Sequence, residues 1–343
     1  MIRNPIPWPN GARCAVAFSF DVDADSFVHL SYPEDADNRL HSLAIARFGP
    51  QVGVPRLIDV FKRHDVPVTW FVPGWVIERY PAAVEAMLES NGEIAHHGYL
   101  HHNPVALSPA EEEDAILRSV EIIRRVTGKK PRGYRAPSWG VSRRTFPLLI
   151  EAGIAYDSSL MGDDNPYLLT YDGRRTLVEI PTAHGLDDWP HYMNWRDFNY
   201  LMPISAPARA HEVYRAEFDA AWEYGGMWVC VWHPLVSGRL ARAHEMHKLV
   251  RHMQDKGGVW FARMEEIAAH VRHVVETKQW TPRIDRLPYY QGRIPELHGS
   301  GKPVLLAKTA PRKTKTARPK PKTGRPKPKT GRPGTASAPR KAR

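Results

Sequence analysis

Short apolar runs alternate with amphipathic stretches along most of the chain. The runs have the length of buried strands, and the stretches between them repeat their apolar residues at the spacing of a helix. Strands separated by helices pair in parallel, so the pattern predicts an α/β fold. The predicted strands are 14–20, 66–72, 93–96, 132–134, 176–180, 227–232 and 259–261, and the predicted helices are 54–64, 81–90, 108–127, 142–152, 208–224, 241–255 and 264–275.

Polar side chains directly follow several of these strands. Asp21 and Asp23 come after the first strand, and Arg135 and His233 come after two later ones. Residues at the carboxyl ends of parallel strands converge at the mouth of a (β/α) barrel. An open doubly wound sheet usually has a glycine-rich loop after its first strand, whereas this chain has acids there. We therefore predict a distorted (β/α) barrel.

The C-terminal part of the chain has a different composition. Residues 302–343 contain 15 Lys and Arg and neither Asp nor Glu. Such a segment cannot bury enough apolar surface to offset its ordering entropy, so we predict a disordered basic tail. Removing these 15 from the 48 basic residues leaves 33 against 37 acidic ones, so the rest of the chain is slightly acidic although the whole carries +11. We predict one folded domain over 1–290, a linker over 291–301 and the tail over 302–343.

Within the tail, the sequence Pro-Lys-Pro-Lys-Thr-Gly-Arg occurs at 319–325 and again at 326–332. Its positive charge predicts weak, nonspecific binding to nucleic acid or another polyanion. A solvated, dispensable extension is the other interpretation.

Cysteine content and hydropathy bear on the location of the protein. Cys14 and Cys230 are too few for a disulfide framework, and we interpret them as buried, reduced thiols. The N-terminal residues lack the apolar run of a signal peptide, and no stretch approaches the length of a membrane span. We therefore expect a cytoplasmic protein without a membrane partner.

Two carboxylates and two histidines are the strongest candidates for chemistry. Asp21 and Asp23 lie two residues apart at the end of a strand, so their side chains would face one pocket. His97 and His101, four residues apart, would lie one turn apart in a helix and could bind the same cation. Together with Asp23 they would form a three-ligand site with room for water, which is typical of a hydrolase, and Asp21 would act as general base. Taken alone, the aspartates could equally cap a turn.

A ligand set of two histidines and one carboxylate also occurs in ferrous oxygenases. Those sites usually lie in a double-stranded β-helix, and the alternation of strands and helices opposes that fold here. A hydrolytic metal site is therefore the favoured interpretation.

Five motifs resemble, in order, those of the NodB-like polysaccharide deacetylases, carbohydrate esterase family 4, over most of residues 12–275. The motifs are Phe20-Asp-Val-Asp23, His97-Gly-Tyr-Leu-His101, Gly133-Tyr-Arg-Ala-Pro-Ser-Trp139, Tyr156-Asp-Ser-Ser-Leu160 and Trp232-His-Pro234. Smaller features, such as Leu186-Asp-Asp188, resemble the branch that includes a Helicobacter peptidoglycan-deacetylase-like protein, cofactor-free allantoinases and cyclic imide hydrolases. The resemblance implies a deacetylase-type barrel and a homo-oligomer, for which a tetramer is the expected state.

The residue chemistry and the resemblance agree on the site. Asp21 would be the general base, and Arg135 would pair with it and keep it ionised. His233 would protonate the leaving nitrogen. Alternatively, Arg135 could form an ion pair at the edge of the core, and His233 could simply end a strand. The ligands of a divalent cation, Zn²⁺ in the first place, would be Asp23, His97 and His101.

Several further residues are weaker candidates. The aromatic-rich segment 160–201 and the polar segment 25–53 could form a lid, a subunit contact or plain surface loops. His96 and His102 are interpreted as groups behind the ligands or on the surface. The remaining pocket candidates are His184, His191, Asp157, Asp163, Asp164 and Asp187.

The predicted function is hydrolysis of non-peptide carbon–nitrogen bonds. The first hypothesis is N-deacetylation of an acetamido sugar or oligosaccharide. The second is ring opening of a small cyclic imide or ureide, which uses the same water, base and acid. A third, from a different class, is a non-catalytic barrel that binds nucleic acid through its tail.

Overall fold

The structure is a computed structural model that describes residues 1–290 and Gly292. The predicted tail, and all of the predicted linker except Gly292, lie outside the described residues. Within the described range, no helix combines the length and the apolar character that crossing a bilayer requires.

A curled, mainly parallel sheet of ten strands forms the centre of the domain. Its order is β10-β1-β2-β3-β4-β5-β7-β6-β12, and β11 also pairs with β1. A separate two-stranded ribbon joins β8 and β9. The strands are β1 Cys14–Asp21, β2 Val68–Val72, β3 Glu93–His96, β4 Gly133–Tyr134, β5 Tyr156–Asp157, β6 Tyr167–Thr170, β7 Thr176–Glu179, β8 Asn194–Trp195, β9 Tyr200–Leu201, β10 Met227–Val229, β11 Val259–Phe261 and β12 Ile284–Arg286.

Helices follow most of the strands, which confirms the predicted alternation. The curled sheet with its helices is the distorted barrel that the sequence predicted, in the form of a half-barrel. The helices are α1 Ser26–Ser31, α2 Leu40–Phe48, α3 Val54–His64, α4 Gly74–Arg79, α5 Pro81–Glu89, α6 Pro109–Thr127, α7 Thr145–Ala152, α8 Trp189–Tyr192, α9 Pro207–Tyr224, α10 Pro234–Ser237, α11 Leu240–Lys256 and α12 Met264–Glu276.

Helix α6 illustrates how local sequence sets the ends of an element. Ser108 and Glu111 form a capping box, in which the Ser108 hydroxyl accepts from the Glu111 amide and the Glu111 carboxylate accepts from the Ser108 amide at 2.8 Å. Gly128, at φ 76°, ends the helix in the left-handed conformation. The helix buries Ile116 and Ile123 against the domain, so its position behind β3 is fixed by both caps and packing.

Strand β1 carries polar side chains of the candidate site on one face and aromatic core residues on the other. All eight of its residues are buried. Phe18 packs against Phe61 with ring centroids 4.7 Å apart, and Phe20 stacks on Trp70 at 5.1 Å. Because side chains alternate along a strand, Ser19 and Asp21 face the opposite side. The aromatic core therefore anchors the strand whose end carries the candidate base.

Several features of the sheet were not predicted. Strands β5, β6 and β12 were missed, and β6 and β7 form an antiparallel hairpin within the otherwise parallel sheet. The hairpin turn contains Asp172-Gly173, a common two-residue hairpin signal, with Gly173 at φ 74°. Cys14 and Cys230 are buried and unpaired with each other, as expected.

Candidate active site

The predicted base, acid and metal ligands meet in a cavity of about 490 Å³ at the carboxyl ends of the central strands. This is the position that a barrel-like parallel sheet offers for catalysis. Asp21 and Asp23 reach it from the end of β1, and His233 from the segment after β10. Further polar residues on the cavity wall are His97, His101, Asn103, His184 and Asp187.

Asp23, His97 and His101 form a compact group, with one potential ligand atom from each lying within 4.8 Å of the others. His97 Nε2 lies 3.4 Å from Asp23 Oδ1, and His101 Nε2 lies 3.5 Å from Asp23 Oδ2. Asp23 Oδ1 is buried and has no hydrogen-bond partner among the described residues. A buried carboxylate oxygen without a partner is costly, and a cation at this point would satisfy it.

The backbone orients His97 for metal binding. Its Nδ1 lies 2.8 Å from the carbonyl oxygen of Arg135, so Nδ1 donates and Nε2 is left with its lone pair facing Asp23. Metal-binding histidines are usually held in this way through their second nitrogen. The three residues therefore fit a divalent cation, and two histidines with one carboxylate suit zinc.

The two ligand histidines do not lie on a helix, so the helical arrangement considered for them is wrong. They lie in a loop after β3, in which Gly98 and His101 adopt left-handed φ values of 68° and 62°. His96 stabilises the loop: its Nδ1 accepts from the Gly98 amide at 2.9 Å, and its Nε2 lies 3.0 Å from the Ile116 carbonyl. Burial lowers the pKa of His96 to about 4, so this histidine is neutral at pH 7.

The site electrostatics favour an ionised Asp23. Burial by itself would raise the pKa of Asp23, but the neighbouring His101, His97 and His233 outweigh it and hold that pKa below its ordinary value. Burial lowers the pKa of His101, which favours the neutral form that a metal ligand requires.

Arg135 is fully buried and pairs with Asp21 at 2.7 Å. The guanidinium also donates to Ser19 Oγ at 3.0 Å and to Ser158 Oγ at 3.0 Å. Its position is thus fixed by side chains of β1 and of the segment that follows β5. Asp21 Oδ2, which is not bonded to Arg135, lies 3.8 Å from His97 Nε2 and faces the cavity beside the candidate metal group.

His233 is held by a residue that was not among the predicted site residues. Asp188 Oδ1 lies 2.7 Å from His233 Nδ1, and Asp188 Oδ2 accepts from the His233 backbone amide at 2.9 Å. Burial alone would lower the pKa of His233, but the charge and hydrogen bond of Asp188 raise it to about 10. The signal available in the sequence was the paired carboxylates of Leu186-Asp-Asp188.

Some of the weaker candidate residues line the cavity, and the others lie outside it. His184 and Asp187 line the cavity. Asp157 is buried outside it and bonds Ser159, and Asp163 pairs with Arg283 at 2.8 Å. The residues Asp164, His191 and His102 also lie outside the cavity wall.

Segments 25–53 and 160–201 both contribute to the wall of the cavity. The first supplies Phe27 and Leu30 from α1, which lies over the site. The second supplies Trp189, Phe198 and Tyr200, and Trp189 packs against His233 with ring centroids 4.9 Å apart. The aromatic residues of the second segment thus form a wall beside the candidate acid.

An α/β half-barrel with a histidine–carboxylate site at its strand ends defines the class, that of a hydrolase of the deacetylase type. The family model for polysaccharide deacetylases matches residues 48–156. A peptidoglycan deacetylase from Helicobacter pylori is 33% identical over 285 residues, which cover 74% of this chain and 94% of the relative. The chain therefore belongs to the polysaccharide deacetylase family, whose members hydrolyse carbon–nitrogen bonds and generally depend on a divalent metal.

Solved structures agree with this assignment. The crystal structure of a candidate polysaccharide deacetylase from Mycobacterium smegmatis is 39% identical and superposes with a TM-score of 0.78, covering 86% of this chain and 99% of the other. An allantoinase structure, 23% identical, has a TM-score of 0.70 over 81% of this chain and 96% of the other. The similarity to the allantoinase shows a shared fold.

Proposed function

We propose that the chain is a metal-dependent amide hydrolase that removes the acetyl group from an acetamido sugar or oligosaccharide. The observation that carries this proposal is the meeting of Asp21, the Asp23–His97–His101 group and His233 in one cavity. The similarity to a peptidoglycan deacetylase supports the substrate class. A base, a metal group and an acid within one cavity are what hydrolysis of an unactivated amide requires.

Asp23, His97 and His101 would hold the cation, for which Zn²⁺ is our first choice. When bound, the cation supplies Lewis acidity, which polarises the amide carbonyl and makes water a better nucleophile at neutral pH. Both histidines of this group would have to be neutral to bind the cation, so Asp23 would be the negatively charged ligand.

Asp21 acts as the general base. Its free oxygen faces the cavity and takes a proton from the attacking water, while Arg135 fixes the other oxygen at 2.7 Å. The guanidinium is itself held by its contacts with Ser19 and Ser158. The base is therefore correctly placed before substrate binds.

His233 acts as the general acid. Asp188 binds Nδ1, so the proton on Nε2 faces the cavity and can pass to the nitrogen as the carbon–nitrogen bond breaks. Asp188 also favours the protonated imidazole, which the donating step requires. The proton taken up by Asp21 and the proton given by His233 balance the addition of one water across the amide.

Ring opening of a cyclic imide or ureide is the second candidate. It is favoured by the aromatic wall of Trp189, Phe198 and Tyr200, whose apolar faces can pack against a small planar ring. The same base and acid would serve, since a cyclic imide also contains an amide bond.

The test is a turnover assay on metal-free and Zn²⁺-loaded protein with both substrate classes. Acetate release from N-acetylglucosamine oligomers is followed beside ring opening of succinimide, hydantoin and allantoin. Metal-dependent acetate release supports the first candidate, and metal-dependent ring opening alone supports the second. If neither occurs with any divalent metal, the hydrolase proposal is wrong.

The predicted homo-oligomer and polyanion binding by the tail are separate proposals. Light scattering of the full chain tests the first. For the second, deletion of residues 302–343 should abolish salt-sensitive DNA binding and leave hydrolysis unchanged. Loss of hydrolysis on deletion would contradict the assignment of catalysis to residues 1–290.

A further inference from the structure

The cavity contains a third carboxylate, which the proposed mechanism does not use. Asp187 lies on the cavity wall beside His233 and is 5% exposed. Its Oδ1 lies 4.0 Å from His233 Nδ1, whereas Asp188 lies at 2.7 Å and makes the hydrogen bond. Because Asp188 already orients the imidazole, Asp187 is available for another partner.

The backbone and a local hydrogen bond fix the position of Asp187. Asp187 Oδ1 accepts from the Trp189 amide at 2.8 Å. The residue also forms a parallel β-bridge with Val231, two positions before His233. Asp187 is therefore held at a constant distance from the candidate acid, as a preorganised binding group has to be.

The second oxygen, Oδ2, makes no hydrogen bond to any described residue and is not fully enclosed by protein. Burial, together with the charges of Asp188 and Asp21, raises the pKa of Asp187 to about 7 although His233 opposes the shift. A hydrogen-bond donor placed against Oδ2 would stabilise the ionised carboxylate.

The charge of the cavity wall also favours an uncharged hydrogen-bond donor as the partner of Asp187. It includes the carboxylates of Asp21, Asp23 and Asp187, and among the described residues that line it there is neither Lys nor Arg. Arg135 lies beneath the wall, fully buried and engaged with Asp21. His233 is the cationic side chain on this wall, and Asp188 already pairs with it at 2.7 Å, so an anionic substituent placed near Asp187 would meet like charge.

We propose that Asp187 determines substrate specificity by accepting a hydrogen bond from an uncharged N–H or O–H group beside the scissile amide. The enzyme would then take neutral or cationic substrates and discriminate against anionic ones. This inference rests on the proposed amide hydrolysis. The donor is a hydroxyl in a sugar substrate and a ring N–H in an imide or ureide, and the two sources require separate substrate pairs.

Two variants separate the acceptor from the charge. D187A removes the acceptor, and D187N removes the charge at nearly constant size. D164N is the matched control, since Asp164 is an exposed carboxylate outside the cavity. Thermal unfolding of each variant checks that it is folded.

The donor test compares N-acetylglucosamine with its 3-deoxy analogue, and hydantoin with 1-methylhydantoin. In the wild type and in D164N, kcat/KM should be about tenfold or more higher for the member with the donor, in at least one pair. In D187A the two members should differ by no more than about threefold, mainly because KM for the donor-bearing member rises. Equal ratios in the wild type and D187A would overturn the proposal.

The charge test compares N-acetylmuramic acid, and hydantoin-5-acetic acid, each with its own methyl ester. The wild type should favour the ester by about tenfold, and D187N should narrow the preference to within about threefold. A wild type that accepts acid and ester equally, or a preference that D187N leaves unchanged, would contradict the proposal.

Calorimetric titration of the same pairs into metal-loaded protein gives a readout that needs no turnover. If the wild type binds the donor-bearing member more tightly and D187A does not, the assignment of Asp187 holds even where no substrate is hydrolysed and the proposed function fails. No binding, or binding without a preference, would overturn it.

Discussion

Two histidine–carboxylate clusters adjoin the same cavity and differ in how fully their polar atoms are satisfied. In the open cluster, Asp23, His97 and His101, the nearest nitrogen–oxygen distances are 3.4 and 3.5 Å, and Asp23 Oδ1 has no partner among the described residues. In the closed cluster, Asp188 and His233, both carboxylate oxygens accept from the histidine, at 2.7 and 2.9 Å. Histidine and aspartate thus leave room for a cation in the open cluster, whereas in the closed cluster they fix a proton donor.

Breaking the open cluster should have the largest effect. H101A removes one of three ligands, and we expect loss of bound Zn²⁺ and a fall in kcat/KM of about a thousandfold or more, because metal activation contributes several kcal/mol. Metal content by mass spectrometry and turnover are measured together. H102A, next in the chain and outside the cavity wall, is the control. A variant without metal but with normal activity would refute the role of this cluster.

Removing the buried cation beside the open cluster should lower stability, in addition to freeing the base that this cation holds. R135M leaves Asp21 buried without its partner, and we expect the free energy of unfolding to fall by about 3–5 kcal/mol. The measurement is urea denaturation followed by circular dichroism. R283M, which breaks the exposed pair with Asp163, should cost at most about 1 kcal/mol. Similar losses in the two variants would contradict the central position assigned to Arg135.

The closed cluster can be broken without touching the metal group. D188N should lower kcat about a hundredfold, since His233 loses both its orientation and the charge that keeps it protonated. KM and the bound Zn²⁺ should change little. If D188N loses the metal as well, the two clusters are not separate units, and the comparison between them fails.

A buried carboxylate in neither cluster should give the smallest effect. Glu93 accepts from Thr69, Tyr156 and the Glu265 amide but has no cationic partner among the described residues. Burial, with the charge of Glu265, raises its pKa from 4.5 to about 7. The folded state thus holds this proton more tightly than the unfolded state, so the stabilisation is full below pH 4.5 and is lost as pH rises through 7.

E93Q should remove this pH dependence. Between pH 5 and pH 8 the wild type should lose about 1–3 kcal/mol of stability relative to E93Q. Urea denaturation of both proteins across this pH range measures the difference. Parallel stability curves would show that Glu93 titrates alike in the folded and unfolded states.

The sequence was most informative where local pattern and structure coincide. The apolar run of β1, the capping box of α6 and the positions of Asp21, Asp23 and His233 after strands follow from residue spacing alone. The β6–β7 hairpin was predictable in principle from Asp172-Gly173. In these cases neighbouring residues determine the conformation.

Other features depend on contacts between distant parts of the chain. The histidine loop was not predictable from the four-residue spacing, because its shape depends on the contact of His96 with the carbonyl of Ile116 on α6. Asp188 and His233 are 45 positions apart, and only the fold shows that Asp188, rather than its neighbour Asp187, binds the imidazole. Tertiary geometry decides such choices, which no local pattern encodes.

Strand β1 also determines how the active site can unfold. It is buried along its whole length, pairs with β10 on one side and with β11 and β2 on the other, and ends at the candidate base, Asp21. Amide hydrogens in such a strand exchange with deuterium only when the whole domain opens. The catalytic base therefore sits on what should be the slowest-exchanging segment of the protein, so local fraying cannot displace it, and heat should abolish activity and structure together.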